Sequence, residues 1–163
     1  MHKFAHIVAV VTLVAGTSSA FAQGTSLSFS GLNAVRGEPV EVRSDNLTVD
    51  NSTGETTFSG NAVLGQGDMR LAAQTITVVY TPGDSTRITR MEASGGVTLV
   101  TAVEAAEAAN AVYDLDGGTV QMSGSVILTQ GPNVLSGDRL TVNLRSGQGR
   151  LQGQVRTIIQ TDR

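Results

Sequence analysis

The residues able to do covalent chemistry are few, and most of them lie at one end of the chain. Both histidines (His2, His6) and the only lysine (Lys3) fall within the first six residues, and the 163-residue sequence has no cysteine or tryptophan. Beyond residue 22 there is thus no material for Ser-His-Asp triads, cysteine nucleophiles, Ser-Lys dyads, Schiff-base lysines or zinc held by His or Cys. Carboxylates remain, and a glycosidase needs two of them on one cleft, about 5–9.5 Å apart. The available candidates sit in turn contexts. Asp114-Leu115-Asp116-Gly117-Gly118 begins like a calcium loop, but no later ligands complete the spacing of an EF-hand. Asp-Gly and Gly-Gly between alternating segments are hairpin chemistry, because Gly accepts φ > 0 without steric cost. Gly65-Gln66-Gly67 lacks the GK[ST] ending of a P-loop. Asn46-Leu-Thr and Asn51-Ser-Thr match glycosylation sequons, as short polar turn sequences do by chance. The expectation is a non-enzyme with no catalytic or metal-ligating residue and no cofactor.

The first 22 residues read as a secretory signal peptide. A short basic start precedes an apolar run from Ile7 to Val14, and Ala20-Phe21-Ala22 offers an A-x-A cleavage site before Gln23. The apolar run is well short of the roughly 20 residues that span a bilayer. Cleavage would leave 141 residues, with ten arginines against fourteen carboxylates and a net charge of −4. That acidic balance disfavours nucleic acid, whose binding depends on cationic side chains neutralising phosphates. The expected organisation is a signal peptide at 1–22, a flexible arm or loose first strand at 23–37, and one domain at 38–160.

What could position a functional surface is an alternating pattern. Val40/Val42, Leu47/Val49, Thr56/Phe58, Ala62/Leu64, Met69/Leu71, Ile76/Val78/Tyr80, Val97/Leu99, Val120/Met122, Val126/Leu128 and Leu140/Val142/Leu144 each keep one parity. A period of two puts each set on one face of a sheet. With Gly, Asn, Asp and Ser between them, the segments predict about a dozen short antiparallel strands. A parity change near Asp45-Asn46 calls for a bulge or corner. Thr101–Ala111 dissents: its Ala-Val-Glu-Ala-Ala-Glu-Ala-Ala run has high helix propensity. A loop or short helical turn leading into a strand is expected there.

The sequence also repeats itself. A shift of 64 residues pairs Asn46 with Asn110, Asp50 with Asp114, Gly54 with Gly118, Gly60 with Gly124, Leu64 with Leu128, Gly67 with Gly131, Leu71 with Leu135 and Val78 with Val142. A truncated third start is visible at Arg150-Leu151-Gln152-Gly153. Repeated β-units that cover one another's faces suggest a stacked sandwich or solenoid.

Those repeated phrases carry a family likeness. Pro39-Val40-Glu41-Val42-Arg43-Ser44-Asp45, then Thr57-Phe58-Ser59-Gly60-Asn61-Ala62-Val63-Leu64, resembles the opening of an LptA/OstA-like domain. Ala111-Val112-Tyr113-Asp114-Leu115, Met122-Ser123-Gly124-Ser125-Val126-Ile127-Leu128 and Gly137-Asp138-Arg139-Leu140-Thr141-Val142 follow in the family's order. The resemblance covers residues 38–156 and implies an all-β fold, a twisted antiparallel β-jellyroll forming a V-shaped open sandwich. It implies a periplasmic protein that shelters the acyl chains of lipopolysaccharide (lipid A) between the inner and outer membranes. Its partners would be inner-membrane LptC-like and outer-membrane LptD-like jellyroll edges, and copies of itself stacked head to tail.

Transferred by position, the lipid-facing residues are Val40, Val42, Leu47, Phe58, Leu64, Leu71, Ile76, Val78, Leu99, Tyr113, Met122 and Leu128. Patterning alone would make each of them ordinary core. Arg36 and Arg43 could meet phosphates, since Arg binds them bidentately, or could be solvated surface residues. The alternatives are an LptC-like component of the same pathway, a structural or adhesive β-solenoid, and a lectin-like or hydrolytic carbohydrate module.

Overall fold

The computed structural model describes residues 25–29 and 37–160. The expected signal peptide and Arg36 lie outside the described residues, as does most of the arm. The described chain forms eleven strands and no helix: β1 (Thr25–Ser28), β2 (Val40–Arg43), β3 (Asn46–Asp50), β4 (Glu55–Gln66), β5 (Met69–Thr81), β6 (Asp84–Val100), β7 (Glu104–Asp114), β8 (Thr119–Gln130), β9 (Asn133–Asn143), β10 (Gln148–Gln152) and β11 (Arg156–Ile158). All pairings are antiparallel, in the order β1-β10-β9-β8-β7-β6-β5-β4-β2, with β3 also on β4 and β11 also on β9.

The strands are longer than the punctuation in the sequence suggests. Thr56/Phe58 and Ala62/Leu64 belong to one 12-residue strand, and Met69/Leu71 and Ile76/Val78/Tyr80 to one of 13 residues. The glycines between such pairs bend strands instead of ending them. Gly60-Asn61, Gly95-Gly96, Gly124-Ser125 and Gly153-Gln154 all have positive φ. The first three lie inside β4, β6 and β8, and the fourth separates β10 from β11. Opposite each of the first three pairs the register shifts, at Ser59/Ala62, Ser94/Val97 and Ser123/Val126. Extra residues on one strand of a pair form a β-bulge, which bends and twists the ladder without breaking it.

These corners line up into one crease across the sheet. On one side, β3 pairs with residues 55–59 of β4; on the other, β2 pairs with residues 63–66. At the far edge β10 takes residues 139–143 of β9, and β11 takes residues 134–136. Each long strand therefore serves two half-sheets. The first is ordered β3-β4-β5-β6-β7-β8-β9-β10-β1 and the second β2-β4-β5-β6-β7-β8-β9-β11.

One hydrogen bond proves that the halves fold onto each other. The Tyr113 hydroxyl donates to Gln66 Oε1 at 3.2 Å. The pairings Tyr113–Met91, Met91–Val78 and Val78–Thr56 carry Tyr113's rung to Thr56, ten residues along β4 from Gln66. On a flat sheet, ten residues along and three strands across is a separation of over about 30 Å. Only a sheet doubled at the crease brings the two groups together. The doubled sheet buries one face of each half, including Leu64, Ile76, Met122, Leu128, Leu140, Val142 and Leu151.

Two expectations are corrected here. The Ala-rich segment is strand: Glu104–Asp114 runs unbroken as β7, paired on both sides. Helix propensity loses to a central sheet position where both backbone edges find partners and Ala106 and Ala111 are buried. The 64-residue repeat carried that signal, since it sets Val40 and Val42 of β2 against Glu104 and Ala106 of β7. The expected dozen short strands become fewer and longer ones, six of them with 11 to 17 residues.

Candidate functional site

The interior between the half-sheets is the one large apolar surface the fold constructs, and the cross-strand register resolves it into rows. In the second half, Val42, Leu64, Leu71, Leu99, Ala106, Leu128 and Leu135 form a continuous row from β2 to β9. In the first half, Leu47, Phe58, Ile76, Ala93, Ala111, Met122, Leu140 and Leu151 form another. Beside it run Val78, Met91, Tyr113, Val120 and Val142. Directly opposed side chains on one face lie about 4.5–5.5 Å apart, so each row is an unbroken aliphatic strip.

The structure thus brings the twelve proposed residues onto one surface, with different exposures. Leu64, Leu71, Ile76, Val78, Leu99, Tyr113, Met122 and Leu128 are buried within the closed sandwich. Val40, Val42 and Phe58 are partly buried against that core. Leu47 is 57% exposed, because β3 is an edge strand at the outer end of its row. In this closed arrangement the buried residues fill the interior by packing on one another. The twelve leave out Met91, Val97, Ala106, Ala111, Val126, Leu140 and Leu151, which are equally buried, although the alternation itself sets Val97, Val126 and Leu140 on one face with Leu99, Leu128 and Val142. The register would have supplied them, as each pairs with a residue already named or lies one rung away.

Polar groups gather where the interior meets the strand ends. Gln66, Thr101 and Glu104 are the buried polar or charged residues among those described. Gln66 Nε2 donates to the Glu38 carbonyl at 2.9 Å, and Thr101 Oγ1 donates to Glu104 Oε2 at 2.6 Å. Gln130 Nε2, at the end of β8, donates to the Ser28 carbonyl of β1 at 3.0 Å. The described arginines stay outside. Arg43 Nε pairs with Glu41 at 2.8 Å on the surface, and that hydrogen bond holds the Glu41 carboxyl below and the guanidinium above their ordinary pKa values. The Asp114 segment is a turn, in which Asp114 Oδ1 accepts from the Gly117 N–H at 2.8 Å and Gly118 takes φ 63°. Among the described residues no three His, Cys, Asp or Glu side chains are gathered as a metal site.

Residues 41–148 match the family described as LptA/(LptD N-terminal domain) lipopolysaccharide transport proteins. The chain belongs to this family. An uncharacterised protein of Rhizobium meliloti is 30% identical over 141 residues, covering 82% of this chain and 76% of the relative. In three dimensions the chain is similar to the crystal structure of LptH from Pseudomonas aeruginosa, described as the LptA-homologous periplasmic component of the lipopolysaccharide transport device. The TM-score is 0.69 at 15% identity, over 78% of this chain and 99% of that one. The likeness establishes the LptA-like β-jellyroll fold. A transport and binding family accounts for a site made of apolar rows.

Proposed function

We propose that this chain is a periplasmic lipopolysaccharide-binding bridge protein, which shelters lipid A acyl chains between its half-sheets on the way from inner to outer membrane. The observation that carries the reading is the pair of apolar rows that cross the half-sheets from the β2 and β3 edge to β9 and β10. Sheltering an acyl chain there contributes roughly 0.8 kcal/mol per CH₂, enough for a passive conduit to hold a lipid that water rejects. Residues 1–22 would direct export and be removed, leaving the domain at 38–160 in the periplasm. Lipid would contact Val42, Leu64, Leu71, Leu99 and Leu128 in one half, and Leu47, Phe58, Ile76 and Met122 in the other.

The sheet edges supply the contacts to neighbours. One edge is β2 and β3, and the other is β11 with β1, which covers the β10 ladder. The free C-terminal edge is therefore narrower than β10 and β11 together, because Thr25–Ser28 pairs with residues 148–151 of β10. Unpaired N–H and C=O groups on an edge accept another strand without needing particular side chains. Joining unlike edges is heterologous and does not close, so copies would add head to tail, and LptC-like and LptD-like edges would join the two ends.

In vivo photo-crosslinking from Val42 tests the lipid reading, with adducts probed by antibody against lipopolysaccharide. The expected result is an adduct at Val42 and at Leu47, and none at Glu41 on the opposite face. Equal adducts at all three positions, or none, would sink the conduit. Sedimentation over a concentration series tests assembly: species should lengthen with concentration, and a fixed dimer would exclude head-to-tail addition.

A further inference from the structure

The buried rows raise a question that rests on the lipid-carrying reading: how an acyl chain enters an interior that is already packed. Two of the described hydrogen bonds tie one half-sheet to the other, and both lie at strand ends, far from the crease. Tyr113, next to last in β7, reaches Gln66, the last residue of β4. Gln130, the last residue of β8, reaches the Ser28 carbonyl, at the end of β1. At the crease, by contrast, the halves are joined covalently through every long strand. We infer that these two bonds are a clasp across the mouth of the folded sheet, and that lipid enters sideways when the clasp releases and the strand ends part.

The composition of the mouth fits a seam more closely than a permanent core. Five of the seven inner-facing positions at the second half's strand ends are polar, Gln66, Thr101, Glu104, Gln130 and Asn133 beside Val40 and Met69, whereas the next row inward is wholly aliphatic. Not every polar group there is satisfied in the closed sandwich, for Asn133 Oδ1 is buried with no hydrogen-bond partner. Such a group is costly in the closed state and regains partners on opening, from water or from sugar hydroxyls. Opening leaves the strand ladders intact, because the bulged corners are where the backbone already bends. The motion exchanges two hydrogen bonds at the mouth and separates aliphatic rows that an acyl chain would cover again.

The test bridges the mouth covalently. The chain has no cysteine of its own, so Ser28→Cys with Gln130→Cys gives a unique pair that a short bismaleimide with a cleavable disulfide can span. Neither residue belongs to the aliphatic rows. Uptake of purified lipopolysaccharide by the full chain is measured unbridged, bridged, and after the linker is reduced. The expected result is uptake at least tenfold slower when bridged and restored on cleavage. A second readout places spin labels at Asp68 and Asp116, in turns at the strand ends of opposite halves, and their separation should widen when lipid binds. Uptake at the same rate in all three forms, or lipid bound at an unchanged separation, would overturn the seam while leaving the carrier reading intact. If the unbridged protein takes up no lipopolysaccharide, the carrier reading fails and the seam falls with it.

Discussion

The two copies of the 64-residue repeat encode the same strands and meet different fates. In the first copy, β2 and β3 are separate strands broken at Ser44-Asp45; in the second, the equivalent residues run through as the single strand β7. Leu47 corresponds to Ala111 and Val49 to Tyr113. Leu47 is 57% and Val49 54% exposed, while Ala111 and Tyr113 are 2% and 7% exposed. Alternation is the same in both; position in the sheet differs. The first copy begins the sheet and has a neighbour on one side, whereas β7 lies between β6 and β8 with the other half-sheet above it. Pattern chooses the face, and the number of neighbours sets the burial. The same difference assigns the copies distinct tasks within the proposed carrier, with the open edge in the first and the covered wall in the second.

Substitutions in the two copies test that division. The largest effect is expected in the wall. Leu128→Ala removes a fully buried side chain and should cost about 2–5 kcal/mol, read as a lower midpoint in urea unfolding. Leu47→Ala, on the exposed edge strand, should stay within about 0.5 kcal/mol. Equal losses at the two sites would mean that β3 is covered in solution, and would break the comparison.

A middle-sized effect is expected at the corners. Gly60 and Gly124 are repeat mates, both with positive φ. A Cβ added at Gly124 would lie 2.7 Å from Ala109 Cβ, which moves only if the backbone of β7 moves. At Gly60 it would lie 2.7 Å from Asp45 Oδ2, part of a carboxylate on an exposed edge. Both alanine variants bear the left-handed penalty of about 1–2 kcal/mol. Thermal unfolding should rank Gly124→Ala clearly below Gly60→Ala, and the opposite order would show that the edge corner is the tighter one.

The smallest effect is electrostatic. Asp50 Oδ1 accepts from the Ser52 hydroxyl and N–H and from the Thr53 N–H, and these bonds hold its carboxyl below the ordinary Asp range. A carboxyl with a lowered folded pKa adds stability that is present above its unfolded value, about 3.9. That stability is lost as pH falls through the folded value. Asp50→Asn should therefore lower stability slightly at neutral pH, with the difference vanishing as pH falls through the folded value, so the acid-unfolding midpoint shifts by no more than a few tenths of a pH unit. The group is exposed, and a large shift would show that the turn is coupled to the core.

Much of this could be read along the chain. The period of two placed Val42, Leu64, Ile76, Met122 and Leu128 on inner faces, and the ordered phrases around Gly60 and Gly124 pointed to the family. At Gly60 and Gly124 the sequence reads equally as a strand end, because a glycine with φ > 0 makes a hairpin or a mid-strand corner with the same residue types. The difference lies in the partner strand, which continues past a corner and stops at a turn. Ala105–Ala109 misled for a related reason, since local propensity is weak beside two flanking ladders.

By itself, then, the sequence determined the class of structure, the face each aliphatic side chain takes, the repeat and the poverty of catalytic groups. These depend on residue type and on spacing of two, both of which are local. The tertiary structure alone decided that one sheet doubles along a line of corners, that Tyr113 meets Gln66, and that Leu47 lies open while its mate at Ala111 is sealed. Those outcomes depend on which strands become neighbours, through contacts between residues tens of positions apart that no local pattern encodes.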